Sequence, residues 1–554
     1  MHNRIISHFT DNNIISEKQA AYLRGDSTTL QLSFITHKIR QAWAEGKIAH
    51  GCFLDVSSAF DCVWHNGLLA KIKHAGITGE LLDLLTSYLS NRVARTCVEG
   101  QYSETVDVKA GVPQGSRLGP ILFILYINDI ATELDLDSIP LIFADDTTLL
   151  AFGNDTSETV AQLNNDLGKI SKWAQTWKLK FNGDKSKDLI FTPNRASLNN
   201  SLPIYLNGEL LDRVSAHRHL GLTLESDLTW NIHLNKVIQH ANLKLSILMR
   251  VKELNRQTLD VMVKLHVRSI IDYALPVYGP SLDQNQVAKL EKIQYFAARI
   301  VTSTPKCSST DKLYKDLGWE TVSNRIKFLS ISLFHKIHTN ATRPLSRECL
   351  PPKNRNPYQT RSAKTYQEFP YPRLILEKTI DKSFFSIASK QWDSLPIELK
   401  QTWDIPEFKE GLSAILKPKR CKLYNIGSKY ANSIHTQLRI GRSQLNEHLF
   451  AIGRSNTQGC ICNMSTESVE HVLLDCFLYN TERQVLFDYI RDTRNILCAS
   501  LESYNRKSLI SVLLFGEHPF DYDRYPYNKL LFRAVQSFLV KIGRLKYKSV
   551  LQLT

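Results

Sequence analysis

The stretch LIFADDTTLLAF (141–152) sets two adjacent carboxylates, Asp145 and Asp146, inside an otherwise apolar run. FLDVSSAFD (53–61) ends another apolar run on Asp55. Carboxylates in such places are costly unless something compensates their charge. Taken singly, each reads either as a surface turn between strands or as a metal ligand. Taken together, with a Gly-rich loop and an apolar helix between them, they point to convergence when their strands are neighbours. Three mutually repelling carboxylates raise one another's pKa unless cations are present. Hard divalent ions take oxygen ligands, and Mg2+ commonly bridges a few carboxylates to substrate phosphates. A pair of such ions activates a 3′-hydroxyl and stabilises the leaving oxygen of an in-line phosphoryl displacement. The residues alone therefore lead to a nucleotidyl-transfer site.

The elements that must hold these carboxylates are legible around them. IAHGCFLDV (48–56) reads as a buried strand, and LIFA and TTLLAF read as two strands joined by the Asp pair. LLAKIKHAG and GELLDLLTSYLSNR have helical patterns, and RVARTCVEG with YSETVDVKAG reads as a strand pair around a turn. GVPQGSRLGP (111–120) is a Gly/Pro-rich loop whose Pro120 suits the first turn of the apolar helix ILFILYINDI. Between 157 and 178, Val160, Leu163, Leu167, Ile170, Ala174 and Trp177 recur at helical steps, which predicts an amphipathic helix. Asn207-Gly208 inside IYLNGELL (204–211) is a strong hairpin signal. From about 230 to 345 the pattern turns largely helical, and 346–375 is rich in Pro, Arg and Asn, as linkers are.

Bulk properties bound the answer. With 554 residues, 43% hydrophobic and 22% charged, the chain is globular and long enough for several units. Sixty-nine Lys and Arg against 54 Asp and Glu leave a net charge of +15, which suits a polyanion or merely a basic surface. The N-terminus MHNRIISHFTD has no signal-peptide core. The longest apolar run, ILFILYI (121–127), is far short of the roughly 20 residues that span a bilayer. Ten cysteines, mostly scattered, do not form a dense secreted framework, so a reducing, intracellular compartment is expected. CICNMSTESVEHVLLDC (460–476) groups Cys460, Cys462, His471 and Cys476 as C-x-C-x8-H-x4-C. That is a reasonable tetrahedral zinc set, although VEHVLLDC is amphipathic and could simply turn His471 and Cys476 to a core.

The ordered motifs QAAYLRGDST, FLDVSSAFDCVWH, AGVPQGSRLGPILFILYIND, LIFADDTTLLA, KFNGDKSKDLIF and HLGLTL resemble the reverse transcriptases of non-LTR retrotransposons, most closely the jockey-like lineage. The resemblance covers about residues 1–225 motif by motif and continues more loosely to the end. It implies an α+β right-hand polymerase with a helical C-terminal region, synthesising DNA from dNTPs on an RNA template and a DNA primer. The division it implies is partial fingers at 1–47, palm at 48–228, helical thumb at 229–345, a linker and connection region at 346–439, and a C-terminal helical domain with the Cys/His element at 440–554. It makes Asp55 and Asp145 ligands of two Mg2+ ions and Asp146 their supporting carboxylate. Phe60 matches the aromatic gate against a ribose 2′-hydroxyl, with a core phenylalanine as the plain reading. Gln114 matches the residue touching incoming nucleotide and template, with Gly111 and Gly115 allowing close backbone approach.

Lys185 falls where the family has a lysine that protonates departing pyrophosphate, against the plain reading of a solvated loop lysine. His219, Leu220 and Gly221 match the primer-grip turn. Asp61 and His65 lie in the matched motif and are expected to be structural. The Cys/His segment corresponds to one associated with RNA binding in these polymerases, which favours zinc there. A ribonucleoprotein of nucleus and cytoplasm is the location that goes with this family. Two departures stand out. The family's Q-x-G-F-R appears as Gln19-Ala20-Ala21-Tyr22-Leu23, with Arg24 displaced by one as the candidate triphosphate contact. Relative to the family the chain also starts inside the fingers, without the upstream endonuclease, as a fragment or truncated copy would. An inactive remnant that only binds nucleic acid is the competing expectation, and a maturase-like or retron enzyme fits the flanking motifs less well.

Overall fold

The apolar run IAHGCFLDV forms strand β1 (Ile48–Val56), the centre of a five-stranded sheet and almost wholly buried. The other strands are β2 (Ile139–Phe143), β3 (Asp146–Gly153), β4 (Phe181–Phe191) and β5 (Asp212–Arg213), in the order β5-β4-β1-β3-β2. The computed structural model describes residues 1–132, 134–193, 202–306, 308–339, 341–342, 344–351, 381–494, 504–521 and 523–545. Cys307, Cys498 and most of the expected linker at 346–375 lie outside these. Two compact units emerge: Met1–Leu234 with Ala274–Leu282 and Leu329–Phe408, and Asn235–Tyr273 with Asp283–Phe328 and Lys409–Thr554. The chain thus passes between the two units several times.

In the first unit β1 runs antiparallel to both β3 and β4, and β2 and β3 form an antiparallel hairpin. The helix Thr156–Thr176 buries Val160, Leu163, Leu167, Ile170 and Ala174 against the sheet, as its apolar spacing requires. Asp155 caps its start by accepting from the Glu158 amide at 2.9 Å. The helix Gly119–Ile127 begins with Pro120 in its first turn and is buried from Ile121 to Ile127. A buried ion pair pins it down: Lys71 Nζ lies 2.6 Å from Asp129 Oδ2, with the ammonium 3.6 Å from the centre of the Trp177 ring. Asn207 and Gly208, both left-handed, close the hairpin of Tyr205–Leu206 with Glu209–Leu210. The strand pair expected near 92–110 is an exposed ribbon, pairing Val93–Ala94 with Val106–Asp107 and Cys97–Val98 with Gln101–Tyr102.

The second unit is helical. Its core joins Ile434 and Leu438 of the helix Lys429–Arg439, Leu486 and Ile490 of Asn480–Arg494, and Leu531, Val535 and Phe538 of Tyr525–Lys541. The helix Gln284–Thr302 starts with a reciprocal capping box between Asp283 and Gln286. Several basic side chains of this unit turn inward instead of presenting their charge to a phosphate backbone. Arg256 and Arg439 are both buried and flank Asp316, with Arg256 at 2.5 Å and Arg439 at 3.0 Å from its carboxylate. Arg325 and Asp272 form a two-pronged pair beside Glu320, which Arg268 also reaches at 2.7 Å. Among the described residues, no helix is long and apolar enough to cross a membrane.

Candidate active site

The sheet brings the three carboxylates to one end. Leu54 on β1 pairs with Thr147 on β3, so Asp55 and Asp146, one step further on, stand side by side at the strand ends. Asp145 occupies the tight turn of the β2–β3 hairpin, directly after Ala144 with φ of +58°. Partial burial together with the charges of Asp145 and Asp55 pushes the Asp146 carboxyl up to about 6. Burial and the charge of Asp55 move Asp145 in the same direction. Such mutual repulsion between oxygen donors is what a hard divalent cation relieves, so the donor set fits Mg2+. Asp55 itself is steadied from β4, since its amide donates to Ser186 Oγ at 3.1 Å and that hydroxyl donates to the Asn182 carbonyl at 2.7 Å.

The loop carrying Gln114 is tied to the segment after Asp55. The Val112 amide donates to the Phe60 carbonyl, and the Gly111 amide to the Val63 carbonyl, both at 2.8 Å. The Gly111 carbonyl accepts from His65 Nε2 and from Arg92, each at 2.8 Å. Gly111 has φ of +87°, and a Cβ there would sit 2.8 Å from the Asp61 backbone, so only glycine permits the approach. Gln114 Nε2 donates to Asp61 Oδ1 at 2.9 Å. His65, expected to be structural, is engaged by that bond to the Gly111 carbonyl. Asp61, also expected to be structural, thereby holds the side chain of a candidate nucleotide-contact residue. Phe60 is partly buried and stacks on Phe123 with centroids 4.5 Å apart, leaving part of its ring open. Gly115, at φ +79°, has open space where a Cβ would be.

The turn of HLGLTL is a hairpin, Ala216–His219 against Leu222–Glu225, with Leu220 at φ +45° and Gly221 at +80° in the bend. His219 is buried, 5.0 Å from the Phe53 ring centre, and burial with the neighbouring His217 charge holds it down to about 3. It is neutral near pH 7, packs beside Phe53, and lines the cleft together with the Leu220 bend. A cleft of about 130 Å³ is lined by Asp55, Asp146, Lys185, His217, Arg218 and Leu220 together with neighbouring β1 and β3 residues. Lys185 was expected on a loop but lies in β4, where the register with β1 is interrupted between Phe53 and Asp55. That bulge sends its ammonium to 3.8 Å from Asp55 Oδ2. Arg24 is exposed. Tyr22, with φ of +58°, is half-exposed, and its hydroxyl is raised by burial and by the charge of Asp145.

In the second unit Cys460, Cys462, His471 and Cys476 are all buried, with their ligand atoms within 4.8 Å of one another. Cys462 Sγ is 3.2 Å from His471 Nε2. Cys460 and Cys476 Sγ are 3.8 Å apart, beyond a disulfide bond of about 2.0 Å. The amphipathic stretch VEHVLLDC forms a π-type turn, His471–Asp475, and His471 and Cys476 both lie against Cys460 and Cys462. Three sulfurs and an imidazole nitrogen converging in this way fit a tetrahedral ion better than they fit bare core packing.

Comparison with known proteins accords with these features. Residues 1–224 match the family model of reverse transcriptase (RNA-dependent DNA polymerase). The chain is similar to a probable RNA-directed DNA polymerase from transposon BS of Drosophila melanogaster, 30% identical over 58% of this chain and 36% of that protein. It also resembles the RNA-directed DNA polymerase from mobile element jockey of the same fly, 27% identical over 61% of this chain and 37% of that protein. A third relative is the probable polymerase from transposon X-element, at 27% over 65% and 40%. The chain therefore spans well under half the length of these relatives. Among solved structures, telomerase from Candida albicans with a fragment of telomeric RNA matches at TM-score 0.29 and 14% identity, over 60% of this chain and 56% of that one. That likeness is too low to bear on fold or function.

Proposed function

We propose that the reverse transcriptase domain formed by residues 1–224 makes this chain an RNA-directed DNA polymerase of a non-LTR retrotransposon, extending a DNA primer with dNTPs on an RNA template. The observation that carries it is the gathering of Asp55, Asp145 and Asp146 at one end of the sheet, beside the cleft that Lys185 and the Leu220 bend also line. Asp55, Asp145 and Asp146 would hold two divalent ions, which when bound would supply activation of the primer 3′-hydroxyl and stabilisation of the leaving oxygen. The protein's own part is positioning and charge. β1 and β3 fix the carboxylates, and the Leu220–Gly221 backbone supports the primer end. Phe60, braced on Phe123, sets the floor where a 2′-hydroxyl would collide. Gln114, held by Asp61, steadies the nucleotide. Lys185, with its ammonium 3.8 Å from Asp55 Oδ2, is the candidate to neutralise and protonate pyrophosphate. Arg24, two residues after Tyr22, is the candidate contact for the triphosphate. A right-hand arrangement with helical thumb accompanies this reading, as does a ribonucleoprotein of nucleus and cytoplasm.

Primer extension on an RNA template by the full chain, with Mg2+ and with a chelator as control, tests this. Metal-dependent extension is expected. A folded chain that binds the primer–template duplex but never extends it would leave only the nucleic-acid-binding remnant. The Cys/His set holds a structural zinc ion on the same reading. Elemental analysis of the purified chain should find about one equivalent of zinc, and Cys476→Ser should lose it. A folded wild-type sample free of zinc removes that part of the reading.

A further inference from the structure

Gln19 has no part in the chemistry described above, yet it is fully buried next to the aspartate turn. The segment around it closes the outer edge of the sheet. The Ile142 amide donates to the Lys18 carbonyl at 2.9 Å, and the Ala20 amide donates to the Ile142 carbonyl at 3.0 Å. This short parallel bridge occupies the free side of β2 just ahead of the aspartates. From there the Gln19 side chain reaches into the turn itself. Its Oε1 accepts from the Ala21 amide at 2.9 Å and from the Ala144 amide at 3.1 Å. Ala144 is the residue before Asp145, and its φ of +58° is a conformation that side-chain-bearing residues avoid. A strained step of this kind persists only where the surroundings over-determine it.

We propose that Gln19 is a positioning residue for the metal-binding carboxylates: by accepting from the Ala144 amide it fixes the left-handed step that aims Asp145 and Asp146 beside Asp55. Its effect on rate rests on the polymerase reading, whereas its effect on the carboxylates does not. A glutamine suits the task because its one carbonyl oxygen accepts from two amides at once.

The test uses the full chain and Mn2+ as the probe, with binding followed by the loss of free-ion EPR signal and Asp145→Asn marking the site. Gln19→Met keeps length and volume but has no oxygen to accept with. Ala144→Gly makes the left-handed step unstrained. Gln19→Met should weaken Mn2+ binding by about tenfold, the range seen for groups that orient metal ligands. It should lower kcat to a similar degree and leave the dNTP KM within about twofold. Adding Ala144→Gly should recover most of both losses, which general damage to the core would not allow. Should Gln19→Met not fold, Gln19→Glu, which retains the acceptor, is expected to keep Mn2+ affinity near that of wild type. Wild-type Mn2+ affinity in folded Gln19→Met, a deficit untouched by Ala144→Gly, or loss of Mn2+ by folded Gln19→Glu would each overturn the proposal. So would a wild-type chain that fails to bind Mn2+ at Asp145. A wild-type chain that binds Mn2+ but does not extend primers defeats the polymerase reading alone, and the Mn2+ comparison still decides Gln19.

Discussion

Asp145→Asn should lower primer extension by about a thousandfold or more, which corresponds to about 4 kcal/mol of lost transition-state stabilisation. The substitution keeps the size of the side chain and its place in the turn while removing the ionic oxygens a divalent cation needs. The sheet should not notice, because β2 and β3 pair through Phe143 and Asp146 on either side of the turn. Duplex affinity should hold or rise slightly, since one negative charge near the nucleic acid is gone. Asp146→Asn should be milder, in the range of about 10–100-fold, if it supports the ligands more than it binds the ion. Single-turnover extension at saturating duplex separates the two outcomes. Extension by Asp145→Asn at the wild-type rate would end the assignment of this carboxylate.

The largest stability effect is expected far from that chemistry, at Asp316. Its carboxylate lies between Arg256 and Arg439, and all three side chains are at most 5% exposed. Arg256 also donates to the Tyr424 carbonyl at 3.1 Å, and Arg439 lies over the Tyr424 ring at 4.2 Å. Asp316→Ala leaves two guanidinium groups buried together with no anion between them. Breaking a buried pair from one side typically costs about 3–5 kcal/mol. Amide exchange in the helix Lys429–Arg439, which supplies Arg439, should then speed up by about a hundredfold or more if it exchanges through global opening. Asp488→Ala provides the contrast, because its partner Arg491 is 62% exposed and such pairs contribute about 0–1 kcal/mol. Equal exchange in the two variants would show that Asp316 is dispensable.

How far sequence reveals structure depends here on whether a residue's partner is near in the chain or announced by a pattern. β1, the β2–β3 hairpin, the Asn207-Gly208 turn and the helix Thr156–Thr176 were all readable, because apolar period and turn chemistry are local. The convergence of Asp55 with Asp146 was reached from two local patterns plus the assumption of neighbouring strands. Lys185 was misplaced on a loop because FNGDKSKD is too polar to read as a strand, and a register interruption leaves no mark in composition. Gln19 and Asp61 were set aside because a single hydrogen bond between distant segments has no sequence period. Arg256 and Arg439 sat on helices with other charges, so nothing marked them as inward-facing before their common partner Asp316 was known.

The ties at Gly111 have a use beyond the site. The chain leaves the catalytic segment after Val63 and returns at Gly111, and the hydrogen bonds from Gly111 to Val63 and from Val112 to Phe60 clamp the two ends of that excursion together. The helices that follow Val63 pack into the core, and only the exposed ribbon from Val93 to Asp107 beyond them has a length uncoupled from the geometry at that base. Its far end is the two-residue bend Glu99-Gly100, both left-handed and fully outside the core. Loop-closure entropy grows only slowly with length, and exposed tips accept extra residues most readily. An epitope or a fluorophore could be spliced in at that bend, and descendants of this sequence could lengthen or trim the ribbon, without the carboxylates registering the change.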